Sequence, residues 1–454
     1  MELVNTNDTR IVRRRYETCS QASLTPNLVR RSIHTPILPR SGFGWSTNRC
    51  GANRDHTARN SPASKGATPS FRGRTGVTTF LAHPGTGKNL CFVKIDTDEG
   101  IHGWGECYTQ SDRDIQVVAH VDQLERYLVG RDPMNIKHFT QMAYDDFAGR
   151  RSAMDFWCAI SGLEQAMWDI TGKKLGVPVY MLLGGACRDK IRVYANGWSG
   201  GAKTPEDLAD KASQVIEMGF TALKFDPIPG PWRTYVDKTV EQQSIENVRA
   251  VRQAVGEDVD ILVEMHRRLA PMHAIKIAKG IQQYHPFWFE EPVLAENVDA
   301  LAAVKREIDI PIVTGEELYT KFEFREIFEK QAADIINPDV CNVGGILELK
   351  EIAAMAEPYY VVVSPHNYNS TTVGLAATLQ VSTCIPNFLI TEYFVNLEAF
   401  GNAVAVKPFE VVDGYIRVPQ GPGLGIELDE AALNQHPYQP FPARSLRQYY
   451  EEGP

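Results

Sequence analysis

Residues 261–318 read ILVEMHRRLAPMHAIKIAKGIQQYHPFWFEEPVLAENVDALAAVKREIDIPIVTGEEL. Three short β-rich runs lie in it, at 261–265, 287–289 and 312–314. Each meets carboxylates at its C-terminal end: Glu264, the pair Glu290–Glu291, and the pair Glu316–Glu317. Between the runs, 272–283 and 295–308 carry apolar residues at helical spacing. Strand, acid and amphipathic helix, repeated about every 25 residues, form the unit of a parallel sheet with crossover helices.

The same unit extends in both directions. Further β-rich runs fall at 191–195, 222–225, 334–336, 360–363 and 388–391, with amphipathic stretches at 205–218, 243–255 and 346–356. Eight runs predict a (β/α)₈ barrel, although a doubly wound sheet alternates in a similar way. The strand ends decide between them, because a barrel gathers its chemistry at the C-terminal ends of its strands. Those positions hold Lys224 and Asp226, Glu264 and His266, Glu290–Glu291, Glu316–Glu317, Asp339, His366, and Glu392. A solvated loop acid or a helix N-cap explains any one of them. Neither explains a chemical group after seven successive strands. Glu264, Glu290 and Glu316 are expected to converge as oxygen ligands, a donor set that suits Mg²⁺. No His/Cys group has zinc spacing. His266 follows Glu264 by two residues, so strand alternation points both to one face.

Upstream, 77–83, 90–97 and 101–107 read as a three-stranded meander, followed by helical spacing at 115–129 and 153–175. They predict an α+β domain over 76–187, a barrel over 188–412, and a segment 413–454 returning to the first domain. Residues 1–75 are a different kind of sequence, with 13 Lys+Arg against 4 Asp+Glu, where the rest of the chain has 34 against 52. Rich in Arg, Ser, Thr, Asn and Pro, this extension reads as a disordered tail or a mis-assigned start, as a transit peptide, or, on a short Arg13–Arg15 run that carries little weight, as a nucleic-acid arm. A mitochondrial address belongs to the second reading. An acidic body gives no reason to expect nucleic acid as a partner, and no run of 18 apolar residues spans a membrane. Eight scattered cysteines without CxxC pairs read as reduced thiols of a cytosolic-type enzyme. PGTGK (84–88) lacks the complete Gly-x₄-Gly-Lys-Ser/Thr frame and reads as a turn. Arg150, in the polar stretch YDDFAGRRS, is a candidate contact for the far end of a substrate.

The motifs GWGE (103–106), VEMH (263–266), FWFEEPVL (287–294), TGEEL (314–318), NPDVCNVGGI (337–346), SPH (364–366), TEY (391–393) and PGLGIELDE (422–430) resemble the enolase superfamily. Within its mandelate racemase branch they are most similar to D-galactonate-dehydratase-like sugar-acid dehydratases. The resemblance spans roughly residues 77–430. It implies a modified (β/α)₈ TIM-type barrel, (β/α)₇β, with an α+β N-terminal capping domain. It also implies Mg²⁺ on Glu264, Glu290 and Glu316, and an Asp339–His366 pair as the base. His266 would protonate the departing hydroxide, Glu392 would meet a substrate carboxylate oxygen, and Lys224 would steady that carboxylate. The implied substrate is a small sugar acid, and the implied assembly a homo-oligomer, dimer or octamer.

Two departures stand out. The first ligand is Glu264 where the family usually has Asp. Racemases of the family often carry Lys-x-Lys after the second strand, and here the sequence is Lys224-Phe225-Asp226. With that lysine absent, Asp226 is grouped with Lys224 as a substrate contact. One imidazole base and one imidazole acid suit elimination of water better than inversion. An acid-sugar epimerase or cycloisomerase, and a non-catalytic relative of the fold, are the alternatives.

Overall fold

The computed structural model describes residues 74–146, 153–230 and 233–443, together with Leu446, Gln448 and Tyr450. These residues belong to one compact unit, Ala67–Pro454. Residues 1–73 of the extension and the candidate Arg150 lie outside the described residues.

Three antiparallel strands open the chain: β1 (Arg74–Ala82), β2 (Leu90–Thr97) and β3 (His102–Cys107), in that order across the sheet. Helices α1 (Asp114–Glu125), α2 (Ile136–Asp145), α3 (Met154–Leu175) and the short α4 (Val179–Leu182) follow. Helix α3 lies so close to β3 that only glycine fits beneath it. A Cβ at Gly105 would stand 1.8 Å from the Gly162 carbonyl oxygen, and one at Gly103 2.1 Å from that of Ala166. The alternation in GWGE therefore has a packing cause.

A strand–helix series comes next. It runs β4 (Lys190–Asn196), α5 (Pro205–Glu217), β5 (Ala222–Phe225), α6 (Lys238–Val255), β6 (Asp260–Glu264), α7 (Pro271–Ile281) and β7 (Trp288–Glu290). It continues with α8 (Val298–Glu307), β8 (Ile312–Thr314), α9 (Thr320–Glu329), β9 (Ile335–Ile336), α10 (Ile346–Ala356), β10 (Val362–Val363), α11 (Val373–Cys384) and β11 (Thr391–Phe394). Local chemistry starts the helices. Thr204 and Asp207 form a capping box on α5, and Asp237 caps α6 through the N–H groups of Thr239 and Val240.

Neighbouring strands from β4 to β10 pair in parallel, and β11 pairs with β4. The ring closes just ahead of β11. Val363 N–H donates to the Asn387 carbonyl, and Leu389 N–H to the Val363 carbonyl, both at 2.8 Å. Residues 387–389 thus serve β10 while 391–394 serve β4, so the last strand runs later than the 388–391 read from sequence. Eight strands joined by seven helices make the (β/α)₇β barrel.

The chain ends with α12 (Glu398–Val404), β12 (Val411–Val412), β13 (Tyr415–Arg417) and α13 (Glu430–Leu433). This region returns to the first sheet: His83 N–H donates to the His436 carbonyl at 3.0 Å, and Lys94 Nζ reaches Glu430 at 2.6 Å. The capping domain also grips the barrel through two buried glutamates. Glu164 accepts from the N–H groups of Ile346 and Leu347 at the start of α10, and Glu106 from Gly374 N–H and Ser370 Oγ at the start of α11. Burial pushes both carboxyls up to about 7, against the pull of those donors. No described helix is long and apolar enough to cross a membrane.

Candidate active site

The barrel floor is an apolar plug of Tyr194, Ala222, Leu262, Trp288, Val313, Ile335 and Ile390. Two residues beyond six of these stand Asn196, Lys224, Glu264, Glu290, Asn337 and Glu392. The period of two along a strand places them on the same inward face, one layer above the plug.

This polar layer is bonded across the barrel. Lys224 Nζ lies 2.7 Å from Glu290, 3.1 Å from Glu392 and 3.5 Å from Glu264. Asn337 Nδ2 donates to Glu290 at 2.8 Å, and Asn196 Nδ2 to Glu392 at 2.7 Å. Burial would lower the Lys224 ammonium, but the Glu290 and Glu392 charges reverse that and hold it well above the ordinary lysine value. Burial, reinforced by the Glu264 charge, drives Glu290 well above the usual carboxylate range.

Glu316 joins from the turn after β8. Gly315 there has φ +134°, and a Cβ would meet the Phe324 ring at 2.7 Å. The glycine swings Glu316 inward, between the Arg267 guanidinium and His366 Nε2 at 3.3 Å. Burial opposes its charge, yet Arg267 above all holds Glu316 below the usual carboxylate range. Glu264, Glu290 and Glu316 each offer an oxygen within 4.8 Å of the others. The second member of each acidic pair is occupied elsewhere. Glu291 accepts from Thr314 Oγ1 and Gly315 N–H, and Glu317 pairs with Arg267 at 3.0 Å. Glu290 Oε2 is buried with no hydrogen-bond partner among the described residues. Three converging carboxylates, one with an orphaned oxygen, fit a hard divalent cation such as Mg²⁺.

Two histidines flank the carboxylates. His366 Nδ1 lies 2.7 Å from Asp339, and its Nε2 faces Glu316 and, at 3.5 Å, Glu392. Burial opposes its protonation, but Glu316 and Glu392 raise it to about 9, with help from Asp339. A cation on the triad would cancel the Glu316 contribution. His266 sits opposite, in a turn where it and Arg267 both take left-handed backbone, φ +47° and +61°. Its Nδ1 lies 2.8 Å from Asp226. Burial works against its charge, and Glu264 followed by Asp226 raise its pKa above the ordinary value.

Asp226, which the sequence reading grouped with Lys224 as a substrate contact, is among the residues that line the cavity over the site. Its carboxylate is held by the His266 ring, by Arg268 and by Ile228 N–H at 2.9 Å. Sequence reasoning also passed over Asn196, Asn337, Arg267 and Arg268. Asn196 had a signal, the inward alternation from Tyr194 on β4. Two further residues, Tyr108 and Tyr368, flank His366 with centroids 6.4 and 5.9 Å from its ring. A cavity of about 350 Å³ opens over these groups and includes Gln110 of the capping domain. A larger cavity of about 920 Å³, beside β12 and β13, contains none of them.

Comparison with known proteins places this arrangement. Residues 207–432 match the model of enolase C-terminal domain-like proteins. Residues 80–184 match that of the mandelate racemase/muconate lactonizing enzyme N-terminal domain. A D-gluconate dehydratase of Thermoproteus tenax is 35% identical over 350 residues, 77% of this chain and 70% of its own. A D-galactonate dehydratase of Variovorax paradoxus (strain S110) is 36% identical over 348 residues, 75% and 89% of the two chains. The crystal structure of a mandelate racemase/muconate lactonizing enzyme from Sulfitobacter sp. matches with TM-score 0.75 and 35% identity, covering 82% of this chain and 96% of that one.

Proposed function

The chain belongs to the mandelate racemase/muconate lactonizing enzyme family of the enolase superfamily and is a hydro-lyase within it; from that premise we propose that it dehydrates an aldonate, with Mg²⁺ as cofactor. The product would be a 2-keto-3-deoxy acid. One observation carries the reading: two histidines, each bonded to its own carboxylate, line a single cavity that also exposes Glu264 and Glu316 of the triad. A base and an acid placed apart are what β-elimination of water requires.

Glu264, Glu290 and Glu316 would hold the Mg²⁺, which when bound polarises the substrate carboxylate and makes the neighbouring C–H more acidic. His366 Nε2 takes the proton from C2. Asp339, on the other ring nitrogen, orients the imidazole for that role and stabilises it once protonated. Lys224, fixed by Glu290 and Glu392, supplies positive charge beside the substrate carboxylate as negative charge develops there. The electron pair from C2–H first moves into the carboxylate group as an enediolate, and then forms the C2–C3 double bond as C3–O breaks. His266 gives its proton to the departing oxygen, which leaves as water, and the enol product tautomerises to the keto acid. Absence of a lysine at position 226 supports elimination over inversion, since Asp226 serves His266 and no second base faces C2 from that strand.

Aldonates of the D-gluconate and D-galactonate kind, named for the relatives, are the first compounds to try. Incubation with Mg²⁺ and a panel of aldonates should release 2-keto-3-deoxy acid from at least one. Formation of a C2 epimer without keto acid would sink the dehydration reading.

A further inference from the structure

The PGTGK turn has no part in the chemistry above, yet its lysine ends beside the base. Residues 85–87 are exposed, with Gly85 and Gly87 at φ +91° and +72°, while Lys88 turns inward and is 5% exposed. Its ammonium donates to the Thr109 carbonyl. It also stands 4.3 Å from the Tyr108 ring centroid and 3.9 Å from that of Tyr368. A buried ammonium held by one carbonyl and two aromatic faces is costly to desolvate. Burial accordingly pulls it down to about 7, and Asp339 is the carboxylate that most resists this.

Both tyrosines belong to the surroundings of His366. Tyr368 stacks on the imidazole at an interplanar angle of 16°, and Tyr108 lies 5.6 Å from Tyr368. Their backbones hold the base's partner as well. Tyr368 N–H donates to Asp339 at 3.3 Å, while Tyr108 N–H donates to the Cys341 carbonyl and Cys341 N–H to Asp339.

We infer that Lys88 is a positioning residue for proton abstraction: its ammonium, seated between Tyr108 and Tyr368, holds both rings around His366 and ties an exposed turn of the capping domain to the base. This rests on the dehydratase reading. Lys88 does not line the cavity, whereas Tyr108 and Tyr368 do, so its effect passes through the two rings. A misplaced catalytic group loses rate before it loses affinity.

Lys88→Met removes the charge and keeps the length. Lys88→Gln removes the charge and keeps a donor for the Thr109 carbonyl. In the full chain with Mg²⁺ and a substrate from the aldonate panel, both should lower kcat roughly 10- to 100-fold with KM little changed. Exchange of the C2 proton in D₂O should fall in parallel, because the defect lies on the His366 side. Wild-type kcat in a folded Lys88→Gln protein overturns the inference, as does a loss confined to KM. Failure of both variants to fold also overturns it, by making the lysine structural. A wild-type protein that dehydrates no acid of the panel instead overturns the functional reading.

Discussion

The Asp339–His366 and Asp226–His266 pairs share a bond of nearly one length, 2.7 and 2.8 Å, but not an environment. His366 has a side chain 4% exposed, and that of Asp339 is 1% exposed. In the other pair the values are 35% for His266 and 22% for Asp226. The carboxylates differ in what holds them. Asp339 accepts from the N–H groups of Cys341 and Tyr368, both neutral, and among the described residues no guanidinium is hydrogen-bonded to it. Asp226 shares its charge with the Arg268 guanidinium. A base that must take a weakly acidic proton gains from a buried, undivided carboxylate. An acid that must be recharged at every turnover gains from contact with water. The same residue pair is thus fitted to two tasks by depth and by a third partner.

Removing what the two pairs have in common should have the largest effect. Treatment with EDTA should abolish turnover, and Mg²⁺ should restore it and raise the melting temperature, since the cation binds the native state. Full activity in metal-free protein would dissolve the comparison, because the two histidines would no longer flank a cation. His366→Asn should come next, with kcat falling toward 10⁴-fold, at the upper end for a general base at about 10²–10⁴. That variant should also stop exchange of the C2 proton in D₂O, followed by NMR. His266→Asn should cost less, roughly 10²-fold in dehydration, while C2 exchange continues. Exchange lost in His266→Asn and kept in His366→Asn would swap the two roles. The smallest change tests the shared carboxylate. Asp226→Asn takes the charge out of the contacts with His266 and Arg268; the share felt by the imidazole, about 1.5 kcal/mol, should lower kcat only about tenfold. A loss matching that of His266→Asn would mean that Arg268 does not dilute the pair.

Much of this was legible along single strands. Lys224, Glu264 and Glu290 follow Ala222, Leu262 and Trp288 by two residues, and a strand's period fixes which face they share. Asn196 and Asn337 obey the same period. They escaped notice because an uncharged amide at a strand end carries no chemical signature of its own. Asp226 was legible as a group at the barrel mouth, and its partner was not. The His266 ring that claims it lies in the turn after the next strand, 40 residues away, where residues 266 and 267 adopt left-handed backbone.

From the amino-acid order alone come the strand–helix repeat, the identity of the carboxylates, and the inward direction of Lys224, Glu264 and Glu290. These depend on the period of a residue's own backbone, which is a local property. Tertiary structure alone decided that Asp226 serves His266, and that Lys88 and Tyr108 of the capping domain stand behind a base more than 250 residues away. Those choices depend on how one element seats against another. Close packing across such seams is set by the shape and charge of both sides together, and no single stretch of sequence contains both.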